Sequence, residues 1–180
     1  MKKILKNSIL LIVFLTTTIS FTSCTDLTPE KTFEIAALNS NLLARFGGKE
    51  ISNKLESEPQ VYDETQKKMV SSTYYDSFKY GITNLEASFK TIQDIKEDDD
   101  NQEMVQASKD LFSYAIAKQK DGYLKIAKMK DENASPEQLQ KAIADFDATT
   151  QNEIDLRFTK LMNTAKAYVE KHNIDAKFGI

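Results

Sequence analysis

Chemistry needs side chains that hold protons, electrons or metals in workable arrangements, and this chain has few. One His, one Cys and no Trp in 180 residues leave almost nothing from which to assemble a soft-metal site or a nucleophile with an imidazole base. A di-iron site between helices requires inward glutamates and two Glu-x-x-His pairs, but Val169 stands three residues before His172, the sole histidine. His172 reads instead as a cation near a helix C-terminus, where the dipole favours it. Asp145 and Asp147 have the spacing that opens a calcium loop, yet Thr150 occupies the place of its glycine and Leu156 that of its closing glutamate. Asp98-Asp99-Asp100 reads as a solvated cap, with loose cation binding as the competing role. Gly47-Gly48 follows no strand and reads as a helix stop rather than a phosphate cradle. No catalytic, cofactor-binding or metal-ligating residue is assigned, and no enzymatic activity is expected.

Cys24 is where a rare residue acquires a role. Lys2, Lys3 and Lys6 give a basic start, and an apolar stretch from Ile9 to Phe21 follows. That stretch is short against the ~20 residues of a membrane span and suits the central region of an export signal. Thr22 and Ser23 then lead into the only cysteine. The segment Phe21-Thr22-Ser23-Cys24 resembles the lipobox of bacterial lipoprotein precursors. The resemblance covers the first 24 residues and implies cleavage before Cys24, with acyl chains on the cysteine and the new amino terminus. An exported protein with one Cys has no intramolecular disulfide partner. Thr25 rather than Asp follows, so by the same resemblance the expected destination is the outer membrane, with the domain facing the periplasm or the cell surface.

Residues 1–23 hold three lysines and no acid, so removing them from the 180-residue chain of net charge −3 leaves 157 residues at −6. Only Arg45 and Arg157 then supply guanidinium groups, and the lysines are scattered among carboxylates. Phosphate-backbone recognition has little support, and no nucleic-acid partner is expected.

The elements that must position any site follow from helical periodicity. Residues 24–27 form a short lipidated tether, and 28–180 a helical domain. Thr28-Pro29-Glu30 is a helix start, with Ile35, Leu38, Leu42 and Phe46 on one face. An irregular connector is expected over 47–63. From about residue 64 to 96 a second helix carries Phe78, Ile82, Leu85, Phe89 and Ile92 at coiled-coil spacing. A third, about 101–130, presents Met104, Ser108, Leu111, Ala115, Gln119, Gly122, Ile126 and Met129. Ser135-Pro136-Glu137-Gln138 is a capping box with Pro at the first helical position. It opens a fourth helix carrying Leu139, Ile143, Phe146, Thr150, Ile154, Leu161, Ala165 and Tyr168 and reaching His172. No strand-like alternation competes. The expected fold is therefore all-α, an antiparallel bundle of three long helices plus one shorter N-terminal helix.

Two surfaces stand out as candidates for contact. Gly81 and Gly122 lie in helix interiors, where each costs about 1 kcal/mol relative to Ala. Folding the helices back on one another brings both near Ala144. The expectation is a narrow waist at Gly81, Gly122 and Ala144, filled by close packing or a ring such as Phe146, or else left as a small apolar pocket. Tyr74, Tyr75, Phe78 and Tyr80 crowd into less than two turns, too many for one seam. The rings either wrap the core while their hydroxyls reach water, or expose a surface at Tyr74, Tyr75 and Tyr80, the candidate contact for a protein or glycan. The expected role is a lipid-anchored module that binds or scaffolds an envelope protein. The alternative is a surface lipoprotein binding a small apolar ligand or a glycan.

Overall fold

A computed structural model describes residues 27–176. The expected signal segment 1–23, Cys24 and most of the expected tether 24–27 lie outside the described residues. The described chain is mostly helical with one two-stranded sheet. In order it has α1 (Pro29–Ala36), a 3₁₀ turn (Leu38–Leu43), α2 (Gly48–Glu56), β1 (Gln60–Asp63), β2 (Lys68–Ser71), α3 (Tyr74–Gln93), α4 (Gln102–Lys118), a π-turn (Gln119–Tyr123), α5 (Leu124–Asp131) and α6 (Pro136–His172).

The seams read from spacing form the core. Phe78, Ile82, Leu85 and Ile92 of α3 are buried, as are Met104, Ser108, Leu111 and Ala115 of α4 and Leu139, Phe146, Thr150, Ile154, Leu161, Ala165 and Tyr168 of α6. α4 packs on α6, and α3 on both α4 and α5. α6 runs unbroken for 37 residues, about 55 Å at 1.5 Å per residue. Its seam tolerates Arg157, whose guanidinium lies 4.3 Å from the centroid of the Tyr114 ring, with Asp110 Oδ2 3.2 Å from Nε. The capping box at its start is complete, Ser135 Oγ accepting from Gln138 N and Gln138 Oε1 accepting from Ser135 N. Ser135→Ala is expected to lower stability by about 1 kcal/mol, read as a shift in urea midpoint at constant m-value.

Three expectations are corrected. The first helix ends at Ala36 and tightens into the 3₁₀ turn, with Leu38 and Leu42 exposed; Ile35, Leu38 and Leu42 therefore do not make one buried stripe. The connector 47–63 is ordered, since Gly48–Glu56 forms α2 with Ile51 and Leu55 buried, and Gly47-Gly48 starts this helix rather than stopping the previous one. Finally, residues 60–71 form an antiparallel hairpin pairing Val61 with Val70 and Tyr62 with Met69, so the second long helix begins at Tyr74, not near residue 64. The hairpin turn is fixed locally, because Asp63 Oδ1 accepts from Thr65 N and Gln66 N at 2.8 and 2.9 Å and Lys67 takes a positive φ of 52°. An isolated hairpin is marginal in water; this one leans on α3 through β1.

Candidate functional site

The two ends of α6 lie in different chemical surroundings. At one end α1 lies beside the C-terminal turns of α6, where the Thr32 side chain reaches the Tyr168 hydroxyl. The turn before α4 joins them there. Asp98 Oδ1 accepts from Asp100 N and Asn101 N, and Asp100 pairs with Lys171 and lies 2.9 Å from His172 Nε2. The Lys171 ammonium, followed by His172, holds the Asp100 carboxyl below its ordinary range. Asp98–Asp100 is thus a cap tied to α6. His172 occupies the last turn of α6, its ring 4.3 Å from that of Tyr168.

The opposite end gathers the hairpin, the N-terminus of α3 and the α5–α6 turn. Asp131 closes α5 and caps α3 from outside, its two carboxylate oxygens accepting from Tyr74 N at 2.8 Å and Tyr75 N at 2.9 Å. Thr73 adds a local cap through Asp76 N. The Tyr74 ring is half-buried under Lys130, 5.5 Å from its centroid, whereas Tyr75 and Tyr80 are each 37% exposed. Met69, on the hairpin, is 49% exposed. Tyr74, Tyr75 and Met69 therefore belong to one tip, and Tyr80 lies further along α3.

Between the ends is a buried polar hub that sequence spacing did not reveal. Gly47 donates to Tyr123 Oη at 2.7 Å, Gly48 donates to Asp147 Oδ1 at 2.7 Å, and Tyr123 donates to Glu50 Oε2 at 2.9 Å. Lys54 pairs with Glu50 at 2.9 Å. Gly47 is the N-cap of α2 and has no side chain to cap with, so Asp147 of α6 supplies the acceptor and places a negative charge at the positive end of α2. The Tyr123 ring packs among Phe46, Phe78 and Phe146 at 5.8, 6.0 and 5.3 Å between centroids. Burial, then the Glu50 charge, push its hydroxyl far above the usual phenol range. A phenol held neutral in this way is a structural donor rather than a base. Asp147, the failed calcium-loop residue, is the main signal that could have been read, and its partner lies 99 residues away.

Gly81, Gly122 and Ala144 do not face one another. A Cβ on Gly81 would approach only Lys54 Nζ, while one on Gly122 would lie 2.3 Å from Phe146 Cδ2. Ala144 is exposed. Gly122 alone performs the anticipated task of making room for a ring, and it does so on the π-turn, where one extra residue per turn widens the helix. Beside it a groove of about 520 Å³ opens between α5 and α6, floored by Gly122, Ile126, Met129, Ala142 and Phe146. A second groove, about 770 Å³ and more polar, lies between the 3₁₀ turn and α6.

Among the described residues no group of three or more His, Cys, Asp or Glu side chains could hold a metal ion, and no helix is long and apolar enough to cross a membrane. No family model, curated protein or solved structure matches the chain.

Proposed function

We propose that this protein is a lipid-anchored module of the bacterial outer membrane, an antiparallel helical bundle facing the periplasm or the cell surface that binds or scaffolds another envelope protein. Cys24 carries the lipid in this reading, and no catalytic step is involved. The observation that supports it most is the polarity of the fold. α1, which begins five residues after Cys24, packs by the C-terminal end of α6, and the tip bearing Tyr74, Tyr75 and Met69 is at the other end of that helix. A tether of a few residues spans at most ~15 Å. The anchored end would stay near the bilayer and the tip would stand roughly 50 Å out, by the rise of α6. Confinement to a surface raises the effective concentration of the tip for a neighbouring partner without any added contact.

Two measurements test this. Cells fed a fatty-acid analogue should label the wild-type chain and leave Cys24→Ala unlabelled; equal labelling, or none in either, removes the anchor. Photo-crosslinkers placed at Tyr75 and Met69 should yield the same discrete adduct in the wild type and lose it in Cys24→Ala. The binding role fails if Leu156, exposed on α6, gives that adduct equally well.

A further inference from the structure

The groove between α5 and α6 has the volume of a ligand site. Its volume of about 520 Å³ falls in the roughly 300–1,000 Å³ range of small-molecule pockets, which are mostly apolar with a few oriented polar groups. It is elongated. Lys118 to Met129 on one wall and Gln138 to Thr150 on the other each span about 16–18 Å of helix.

The rim carries the information about what would fit. On the α6 side Lys141 is neutralised by Asp145 at 2.7 Å. On the facing wall Lys118 and Lys125 also border the groove, seven residues apart across the π-turn. Among the described residues neither has a carboxylate within ion-pair distance; Lys118 rests over the Tyr114 ring, 5.6 Å from its centroid. Asp121 lies between them, also without an ion-pair partner. The groove therefore has an apolar floor and a rim with one net positive charge, on a chain whose total is −3. An apolar floor favours an apolar chain over a sugar or nucleotide, whose hydroxyls would find no partner there, and a neutral hydrocarbon would make no use of the two lysines.

We propose that this groove binds a free single-chain amphiphile ending in a carboxylate, its acyl chain along Phe146, Ile126 and Ala142 and its head at Lys118 or Lys125. Phe146 provides the floor because Gly122 has no Cβ to displace it. Half-buried Ala142 is the place where a larger side chain would fill the groove. The site does not depend on Cys24 and stands whether or not the chain is lipidated.

The test is a photoactivatable, clickable palmitate analogue added to washed, broken cells containing the full chain, with adducts mapped by peptide. Light-dependent label is expected in segments 118–129 and 138–150. It should fall at least tenfold in Ala142→Trp and again in Thr149→Trp, which fills the groove from an exposed rim position. The double change Lys118→Ala, Lys125→Ala should weaken labelling about tenfold, the worth of one charge-assisted hydrogen bond. Unlabelled palmitate should compete and phosphatidylglycerol vesicles should not. Label spread along the chain, or insensitive to both tryptophan variants, overturns the site. Equal labelling by the analogous alcohol, or competition by vesicles alone, overturns the free carboxylate ligand. Protease resistance of each variant shows that its fold is retained.

Discussion

Gly48→Ala is expected to be among the most damaging single-methyl additions in this domain, with a loss of about 2–4 kcal/mol from overpacking and a lost helix cap. The new Cβ would lie 2.3 Å from Asp147 Oδ2 and 2.7 Å from Ile143 Cγ2. Neither neighbour can yield cheaply. Asp147 is held by the very N–H bond that the methyl would disrupt, and Ile143 is packed against the core. α2 must then lift from α6, taking with it Ile51 and Leu55, both buried. Gly47→Ala should also be costly, because its φ of 109° is closed to a side chain and its Cβ would sit 2.8 Å from Asp147 Oδ1. Gly81→Ala is the contrast within the same protein. Its Cβ meets only the mobile end of Lys54 at 3.0 Å, and replacing a glycine in a helix interior recovers up to about 1 kcal/mol. Urea unfolding at constant m-value measures all three. Equal midpoints for Gly48→Ala and Gly81→Ala would mean that α2 is not docked as described.

Tyr123→Phe is expected to lower stability at neutral pH by about 1–3 kcal/mol, because Gly47 N–H loses its acceptor and Glu50 its donor inside the fold. The same substitution should reduce sensitivity to alkali. The hydroxyl titrates near 10 when free and far above that when folded, through burial and the adjacent Glu50 charge. A group raised in the folded state contributes stability fully below its unfolded value and loses it as pH rises above that value. The wild type should therefore weaken beyond pH 10, by up to about 1.4 kcal/mol per pH unit from this residue. Tyr123→Phe should show a shallower decline over pH 10–12, so the two stability curves converge there. Parallel curves in that window would show that the phenol ionises in the folded state and is not enclosed by the hub.

What could be read from residues alone was whatever depends on neighbours within a turn or two. The seams of α3, α4 and α6 are buried where spacing put them, because a helix fixes which residues share a face. Ser135, Pro136 and Gln138 mark the start of α6 because a capping box closes within three residues. Thr28 and Pro29 open α1 for the same reason. The hairpin escaped because its strands are four residues each and none of those residues is fully buried, which leaves little apolar alternation to see. The waist failed for a different reason. Counting residues back from a turn fixes height along a bundle but not rotation, and rotation put Ala144 in solvent while Gly122 faced Phe146.

The sequence by itself determined that the chain is mostly helical and that it holds one His and one Cys; these follow from composition and local order. Only the tertiary structure decided that Gly47-Gly48 begins a helix, since the acceptors for those two N–H groups, Tyr123 and Asp147, come from 76 and 99 residues away. It likewise decided that Tyr74 and Tyr75 share a tip with the hairpin and that Lys118 and Lys125 border an apolar groove. Each of these is a relation between distant segments, set by how helices rotate and close on one another, and no spacing within a single segment encodes it.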